Sequence, residues 1–271
     1  FPSIAEQFVR TTIGGALPIY PNPGILPETA YSEEIGINQS MKLGSWVGVA
    51  DIAAFNSIYT NLIDFVFGFW HYPGDKKDST VGFKSINIEN AQIQGLEFTY
   101  SAAGNIGRNV HIELTAGVTA ISPINTGTKD SVEKYESKHP NLSSSFKDSL
   151  QQTEILNYRS LYTAKFAFEA SYKKLILGGN FRYNSFIVNM DGIFLGTDPQ
   201  FPGLAIPGGV ADFRKKDKNG DYIIDAHVSY QATSIFKISF IVKNLLNRAY
   251  IERPAYLEPP RNYTIQVGVR L

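Results

Sequence analysis

Residues 109–121 read NVHIELTAGVTAI, and this stretch decides the fold. Its even positions are apolar from Ile112 to Ala120, whereas its odd positions, from His111 to Thr119, are polar or glycine. Successive side chains of a β-strand point to opposite faces, so a period of two predicts a strand with one apolar and one polar face.

The same alternation recurs along the chain, and the last strand shows it as clearly as the first example. The second segment is the least regular, because Asp51 shares a face with Val47, Val49 and Phe55. We count nine such segments, at roughly residues 30–43, 46–67, 81–102, 108–121, 158–173, 175–190, 219–232, 235–246 and 260–271.

The connections between these segments alternate between short and long. Short ones fall around Gly44 and Asn105, at Lys173–Lys174 and at Thr233–Ser234. The longer ones are residues 68–80, 122–157, 192–218 and 247–259. An up-and-down membrane barrel has short periplasmic turns and long extracellular loops, so this rhythm predicts an all-β, antiparallel transmembrane β-barrel. By this phase residues 1–28 form an extracellular loop and the end of the chain lies on the periplasmic side.

The composition agrees with a membrane barrel and excludes several other classes. The 25 basic and 25 acidic residues give a net charge of zero, which argues against a nucleic-acid partner. The absence of cysteine excludes a disulfide scaffold and a thiolate metal site. Tyr222 and Tyr230 on one strand, and Tyr162 and Tyr172 on another, lie roughly 20–26 Å apart, which suggests two aromatic girdles around an apolar band.

Five motifs in order give the chain a family resemblance. They are Pro2-Ser3-Ile4-Ala5-Glu6; Leu26-Pro27-Glu28-Thr29 with Glu34-Ile35-Gly36; Asn87 to Phe98, with Ala91, Ile93, Gly95 and Glu97; Lys243-Asn244-Leu245-Leu246-Asn247-Arg248-Ala249-Tyr250; and Pro260-Arg261-Asn262-Tyr263. Together they resemble the barrel of TonB-dependent outer-membrane receptors. The chain ends in Leu271, where that family usually has phenylalanine.

The resemblance implies the architecture of the whole protein. The family's barrel has about 22 strands around a plug. Residues 1–271 would then be a partial β-barrel domain that supplies about nine C-terminal strands, without the plug, the earlier strands, the TonB box and the signal peptide.

The resemblance also implies the function. It predicts TonB-coupled active uptake of a scarce ligand across the outer membrane of a Gram-negative bacterium, with a ferric siderophore or related iron complex as the leading ligand. The implied partners are the TonB complex, reached through the plug, the outer-membrane lipid with its lipopolysaccharide, and the small-molecule ligand. The chain would not be an enzyme and needs no cofactor.

Two other classes compete with this interpretation. A passive porin-like or adhesin barrel without energy coupling fits the alternation and the loops equally well, but not the five motifs. A soluble all-β binding module would require the apolar faces to meet in a core.

Several loop residues are candidates for ligand contact. Trp70, His71 and Tyr72 follow an aromatic strand end, whose Phe65, Phe67 and Phe69 we interpret as lipid-facing. Arg248, Arg253 and Arg261 alternate with Tyr250 and Tyr256, and arginine forks suit carboxylate or catecholate anions. Ion pairing of these arginines with Glu252 or Glu258 is the structural alternative.

Metal chemistry has weaker support. His111 and His227 fall on polar strand faces and are expected to line the lumen, without the spacing of a metal site. Asp217 to Asp221 has part of the oxygen spacing of a calcium loop but lacks the downstream glutamate, so a plain turn is favoured.

Overall fold

A single nine-stranded antiparallel sheet dominates the computed structural model, which describes residues 2–13, 17–72, 80–88, 90–138, 153–197, 203, 209–252 and 257–270. The strand order is β13-β12-β11-β10-β9-β8-β7-β4-β3. Its strands are β3 (Thr29–Leu43), β4 (Trp46–Thr60), β7 (Asn90–Ile106), β8 (Val110–Asn125), β9 (Tyr162–Tyr172), β10 (Leu175–Asn184), β11 (Asp221–Gln231), β12 (Phe236–Lys243) and β13 (Asn262–Val269). The nine alternating segments therefore correspond to the nine strands of this sheet.

The register puts most apolar residues of the nine strands on one face, which we call the outer face; the exceptions in β4 are Val47, Val49 and Phe55. Opposed residues in antiparallel strands share a face, and the ladders align Ile35 with Ala54, Phe98 with Val118 and Ile238 with Val267. Outer residues are strongly exposed, as in Ile35 at 78% and Ile265 at 74%. Asp51 lies opposite Asn38 on the other, inner face.

Tight turns occupy one end of the sheet, which we call the turn end. Gly44, Gly107 and Lys173 have φ of 60°, 63° and 54°, the left-handed conformation that such turns use. Every longer connection lies at the opposite end, which we call the loop end. The predicted alternation of short and long connections is confirmed.

Two predicted segments are broken at the loop end. Segment 46–67 divides into β4 and β5 (Ile63–Trp70), and segment 81–102 divides into β6 (Thr80–Asn87) and β7. At the break, Asn61 adopts a positive φ of 55°. The β5–β6 ladder continues the register of β4–β7 beyond the break.

The β5–β6 hairpin belongs to a second, four-stranded sheet of order β1-β2-β6-β5, with β1 (Thr11–Ile13) and β2 (Leu17–Tyr20). The expected loop 1–28 thus contains strands, and β2 pairs with β6 in parallel. The other predicted segments keep their positions, but their limits differ by a few residues. β8 ends at Asn125, four residues beyond the predicted limit, whereas β10 ends at Asn184, six residues short of it.

The described residues include four helices, all at the loop end: α1 (Ile4–Phe8), α2 (Thr126–Lys138), α3 (Gly192–Leu195) and α4 (Val210–Lys216). None of the helices in the described part of the chain has both the length and the apolar character needed to cross a membrane.

The main buried core also lies at the loop end and joins β2, β6, α3 and α4. It contains Leu17, Phe83, Met190, Ile193, Phe194 and Val210. Phe65 stacks on Phe83 at 4.7 Å between ring centroids, and Phe67 meets the same ring edge-on at 5.3 Å. The expectation that Phe65 and Phe67 face lipid is therefore wrong, because the hairpin leaves the large sheet before reaching them.

Candidate ligand-binding site

A concave pocket opens on the inner face of the sheet near the loop end. Four neighbouring strands supply its floor through Arg182, Asp225, Lys243 and Asn262. The connection between β12 and β13 supplies the roof, which includes Asn244, Tyr250, Glu252, Glu258, Pro259 and Pro260. The pocket holds about 800 Å³ of space counted out to its open mouth. Small-molecule sites have volumes of about 300–1,000 Å³, so it has room for a ligand of that class.

Arg182 is the cation that the sheet fixes most firmly in this pocket. It lies in the middle of three paired strands, opposite Lys165 on one side and Ile223 on the other. Its Nη1 donates to Glu252 Oε1 at 3.0 Å, and the two side chains are 38% and 36% exposed. Burial raises the pKa of the neighbouring Tyr250 phenol, although the Arg182 guanidinium acts in the opposite direction.

Asn244 holds the roof of the pocket. Its backbone has a positive φ of 51° and its residue is only 3% exposed. The side-chain amide donates to the Arg248 carbonyl at 2.8 Å and accepts from the Arg248 N–H at 2.9 Å. Its backbone N–H donates to Asp225 Oδ1 at 2.8 Å, so the roof is tied to the floor.

Arg248, a predicted ligand contact, uses its charge within the protein. Its Nη2 pairs with Asp217, and its guanidinium lies 3.9 Å from the centre of the Tyr222 ring. The structural alternative named Glu252 or Glu258 as the partner, but the acid is Asp217. The contact joins the end of the 185–220 connection to the roof of the pocket.

A second cleft lies between these two connections, and Glu252 lines both the cleft and the inner-face pocket. Within the cleft, Arg214 Nη2 donates to the Ile187 carbonyl at 2.6 Å, and its guanidinium lies 4.0 Å from the centre of the Phe186 ring. Burial lowers the pKa of Arg214. Residues 251–252 therefore separate this cleft, which we call the outer cleft, from the inner-face pocket.

Trp70 is the last residue of β5 in the four-stranded sheet, His71 and Tyr72 follow it, and none of the three lines the pocket. Tyr72 is packed between the Arg10 guanidinium, 3.7 Å from its ring centre, and the Tyr20 ring at 4.6 Å. Lys84 Nζ lies 5.2 Å from the Trp70 ring, whose Nε1 is buried without a hydrogen-bond partner in the described part of the chain. His71 is exposed.

The remaining predicted contacts lie in the β12–β13 connection. Arg261 donates from its backbone N–H to Asn247 Oδ1 at 2.9 Å, and its Nη1 donates to the Leu245 carbonyl at 3.2 Å. It thus closes the base of its own loop. Arg253 and Tyr256 lie outside the described residues.

The calcium hypothesis for Asp217 to Asp221 gains no support from the geometry. Asp217 accepts the Asn219 N–H at 3.2 Å and pairs with Arg248, while Gly220 has a positive φ of 82°. These contacts are those of a turn entering β11. His111 and His227 both lie on the inner face, and His227 Nε2 is 3.6 Å from Glu169 Oε2.

Sequence reasoning missed Arg182 and Lys243 as pocket residues. Arg182 was assigned only to an alternating segment, and Lys243 to such a segment and to a family motif. Their proximity depends on the register across β10, β11 and β12. The sequence does carry one signal for both residues, which is their position in the alternation. Each lies on the polar face of its strand, close to the strand end nearest the long loops.

The architecture defines a class of protein. An up-and-down antiparallel sheet with an apolar outer face, a polar inner face, tight turns at one end and long loops at the other is that of an outer-membrane β-barrel. In the described residues this sheet is open, with β3 and β13 as its edges.

Comparison with known families identifies the particular barrel. The model of the TonB-dependent receptor-like β-barrel matches residues 1–245, so the chain belongs to this family. No curated protein matches the chain in a sequence comparison.

Solved structures share the fold at low identity. The copper transporter OprC is 16% identical, with a TM-score of 0.53 over 99% of this chain and 35% of its own. The Serratia marcescens hemophore receptor HasR, in complex with its hemophore HasA and heme, is 17% identical, with a TM-score of 0.53 over 100% and 35%. The siderophore receptor PirA from Acinetobacter baumannii is 16% identical, with a TM-score of 0.52 over 93% and 33%. The chain therefore spans about a third of the length of these receptors.

Proposed function

We propose that this chain is part of an outer-membrane receptor that takes up a scarce ligand by TonB-coupled active transport in a Gram-negative bacterium. The match of the family model to residues 1–245 carries the proposal. Proteins of this family are transporters and not enzymes, so no bond of the ligand is changed. The outer face contacts lipid and lipopolysaccharide, the loop end faces the exterior, and the turn end faces the periplasm.

The ligand we propose is a ferric siderophore or a related iron complex. Proteins of like fold include the siderophore receptor PirA and the hemophore receptor HasR, whose complex contains heme. OprC, a copper transporter, shows that the same fold also serves another metal. The inner-face pocket supports a ligand of small-molecule size, because it is concave, roomy and lined with several polar side chains.

We further propose that residues 1–271 act as one section of a larger barrel domain that encloses a plug, through which TonB acts. The open sheet supports this. Within the described residues, edge strands β3 and β13 carry unpaired backbone groups, and such groups are not satisfied in lipid unless further strands pair with them.

Uptake in a deletion strain tests the proposed function. The gene is deleted, and the uptake of radioactive iron is measured in iron-limited cells supplied with single iron chelates, with and without the complete gene. If uptake is active, iron uptake is lost in the deletion strain and the complete gene restores it. Deletion of tonB, or addition of a protonophore, should abolish uptake in the same way. Uptake that persists without TonB would instead identify a passive barrel, and unchanged uptake of every chelate would contradict the iron proposal.

A further inference from the structure

Arg182 presents a fixed positive charge to the inner-face pocket. Its strand is paired along its whole length with β9 and β11, so its backbone is held from both sides. Lys243, two strands away, also lines the pocket, and no acid within the described residues forms an ion pair with it. Two cations thus face the same space from a rigid floor. Besides Glu252, two acids line the pocket: Asp225, whose Oδ1 accepts the Asn244 backbone N–H, and Glu258 in the roof.

Glu252 reaches Arg182 from a different kind of support. It lies in the irregular connection between β12 and β13, and its carboxylate meets the guanidinium through one nitrogen and one oxygen. A guanidinium offers a fork of N–H donors that binds a carboxylate more strongly at two points than at one. Both side chains are more than a third exposed, so this ion pair is weak.

The Glu252 carboxylate therefore occupies a position on the Arg182 guanidinium that suits a carboxylate of a ligand. We propose that a free carboxylate of the ligand displaces Glu252 from Arg182 and occupies the inner-face pocket between Arg182 and Lys243. The inference rests on the proposed function and adds a ligand class to it, an iron complex that keeps at least one carboxylate unbound by the metal. Exchange of one carboxylate for another leaves the charge on Arg182 neutralised, and the released Glu252 is hydrated.

Displacement also has a structural consequence. Residues 251–252 separate the outer cleft from the inner-face pocket, and the Arg182–Glu252 pair fixes that segment to the sheet. Loss of the pair lets the segment move, so the ligand itself opens the connection between the two spaces.

Binding to cells that carry the complete receptor tests the exchange. The probes are ferric citrate, which bears carboxylates, and ferric desferrioxamine, a hydroxamate complex that bears none. We expect Glu252→Gln to tighten ferric citrate binding several-fold because a competing anion is removed, and Arg182→Gln to weaken it about tenfold or more because the charge-assisted bonds are lost. Arg182→Lys keeps the charge without the fork and should fall between wild type and Arg182→Gln.

Controls separate binding from folding. Lys215 forms a single-contact ion pair with Asp212 away from the pocket, and the two side chains are 77% and 74% exposed. Lys215→Gln should therefore leave ferric citrate binding unchanged. Antibody to the receptor and its mobility in unheated gels show whether each variant reaches the membrane folded. The opposite signs expected for Glu252→Gln and Arg182→Gln cannot both arise from a folding defect.

The outcomes distinguish the two levels of the proposal. Weaker or unchanged ferric citrate binding in a folded Glu252→Gln receptor would overturn the exchange. Uptake of ferric desferrioxamine that is insensitive to both variants, without binding of ferric citrate, would overturn the ligand class while the transport function stands. Failure of the wild-type receptor to take up any iron chelate would contradict the proposed function itself.

Discussion

Asn87 shows, at the scale of single residues, what the family motif does in this fold. Its side-chain N–H groups donate to the Leu26 and Asn61 carbonyls, each at 2.9 Å, and its Oδ1 accepts the Leu26 N–H at 2.8 Å. It thereby secures the break between the large sheet and the β5–β6 hairpin. Later in the motif, a Cβ at Gly95 would lie 2.4 Å from Phe55 Cζ, so only glycine fits beneath that ring.

Gly178 allows a similar close approach on the inner face, where the His227 ring lies across it. A glycine pair within a strand often marks a bend or bulge, but the β10 ladder runs through Gly178 and Gly179 without a break. A Cβ at position 178 would lie 2.2 Å from His227 Cε1. The glycine therefore provides the space in which His227 reaches Glu169.

Gly178→Ala should destabilise the barrel by about 1–3 kcal/mol, the usual cost of overpacking. His227 has to turn away, which breaks its 3.6 Å contact with Glu169. Gly268→Ala is the matched control, because a Cβ there meets nothing closer than Lys237 O at 3.8 Å. The temperature at which the receptor loses its compact mobility in gels measures both, and equal temperatures would refute the steric explanation.

Asn247 offers a test of backbone strain in the roof connection. It has a positive φ of 51°, and its Oδ1 accepts the Arg261 N–H. Both variants lose the hydrogen bond, but Asn247→Gly also removes the Cβ from the left-handed region, whereas Asn247→Ala keeps a Cβ there at a cost of about 1–2 kcal/mol. We therefore expect proteolysis between residues 244 and 261 to be faster in the Ala variant than in the Gly variant. Identical rates for the two variants would show that the left-handed conformation is not required.

At the scale of elements, the sequence predicted the strands well and the loop end poorly. Alternation is a local signal, so all nine strands of the large sheet could be read from it. The break after β4 could not, because it depends on Asn87 bonding to Leu26 and Asn61, residues distant in sequence. The loop-end core likewise assembles β2, β6 and α3 from three separate connections.

The same limit explains the candidate site. The alternation of β10 predicted that Arg182 lies on a polar face. Its contact with Glu252, however, spans 70 positions of sequence and depends on how the β12–β13 connection folds back over the sheet. Composition drew attention to Trp70 and Arg248 instead, whose contacts are with Lys84 and Asp217. Residue type identifies chemistry that a pocket can use, and only the register and the loops determine which residues share a pocket.

Phe83 should control the loop-end core independently of the large sheet. It is 0% exposed and stacks with Phe65 and Phe194. Phe83→Ala should cost about 3–5 kcal/mol of local stability and increase proteolysis near α3, while the barrel keeps its mobility in unheated gels. Phe69→Ala, on the same hairpin but 52% exposed, should have a smaller effect. Simultaneous loss of barrel mobility in Phe83→Ala would mean that the loop core and the sheet unfold as one unit.

At the scale of the whole molecule, strand direction restricts how the sheet can close. Neighbouring strands alternate in direction, so the first and the last of nine antiparallel strands point the same way. β3 and β13 therefore both run from the loop end to the turn end. If two copies stood side by side in one orientation, β13 of one would meet β3 of the other in parallel. An antiparallel barrel therefore needs an odd number of further strands between these edges.

A polypeptide of residues 1–271 alone should consequently fail to form a stable barrel. Its outer face exposes large apolar side chains such as Ile35 and Leu43, and its two edges cannot pair antiparallel with a second copy that has the same orientation. Open edges template further strand pairing, so we expect aggregation on refolding into detergent or vesicles. Gel mobility with and without heating, together with protease digestion, measures the outcome. The matched control is the same chain joined to the strands of the complete receptor, which should refold into a compact, protease-resistant form. A monomeric, protease-resistant product from residues 1–271 would show that the sheet satisfies its edges by itself and would remove the argument for further strands.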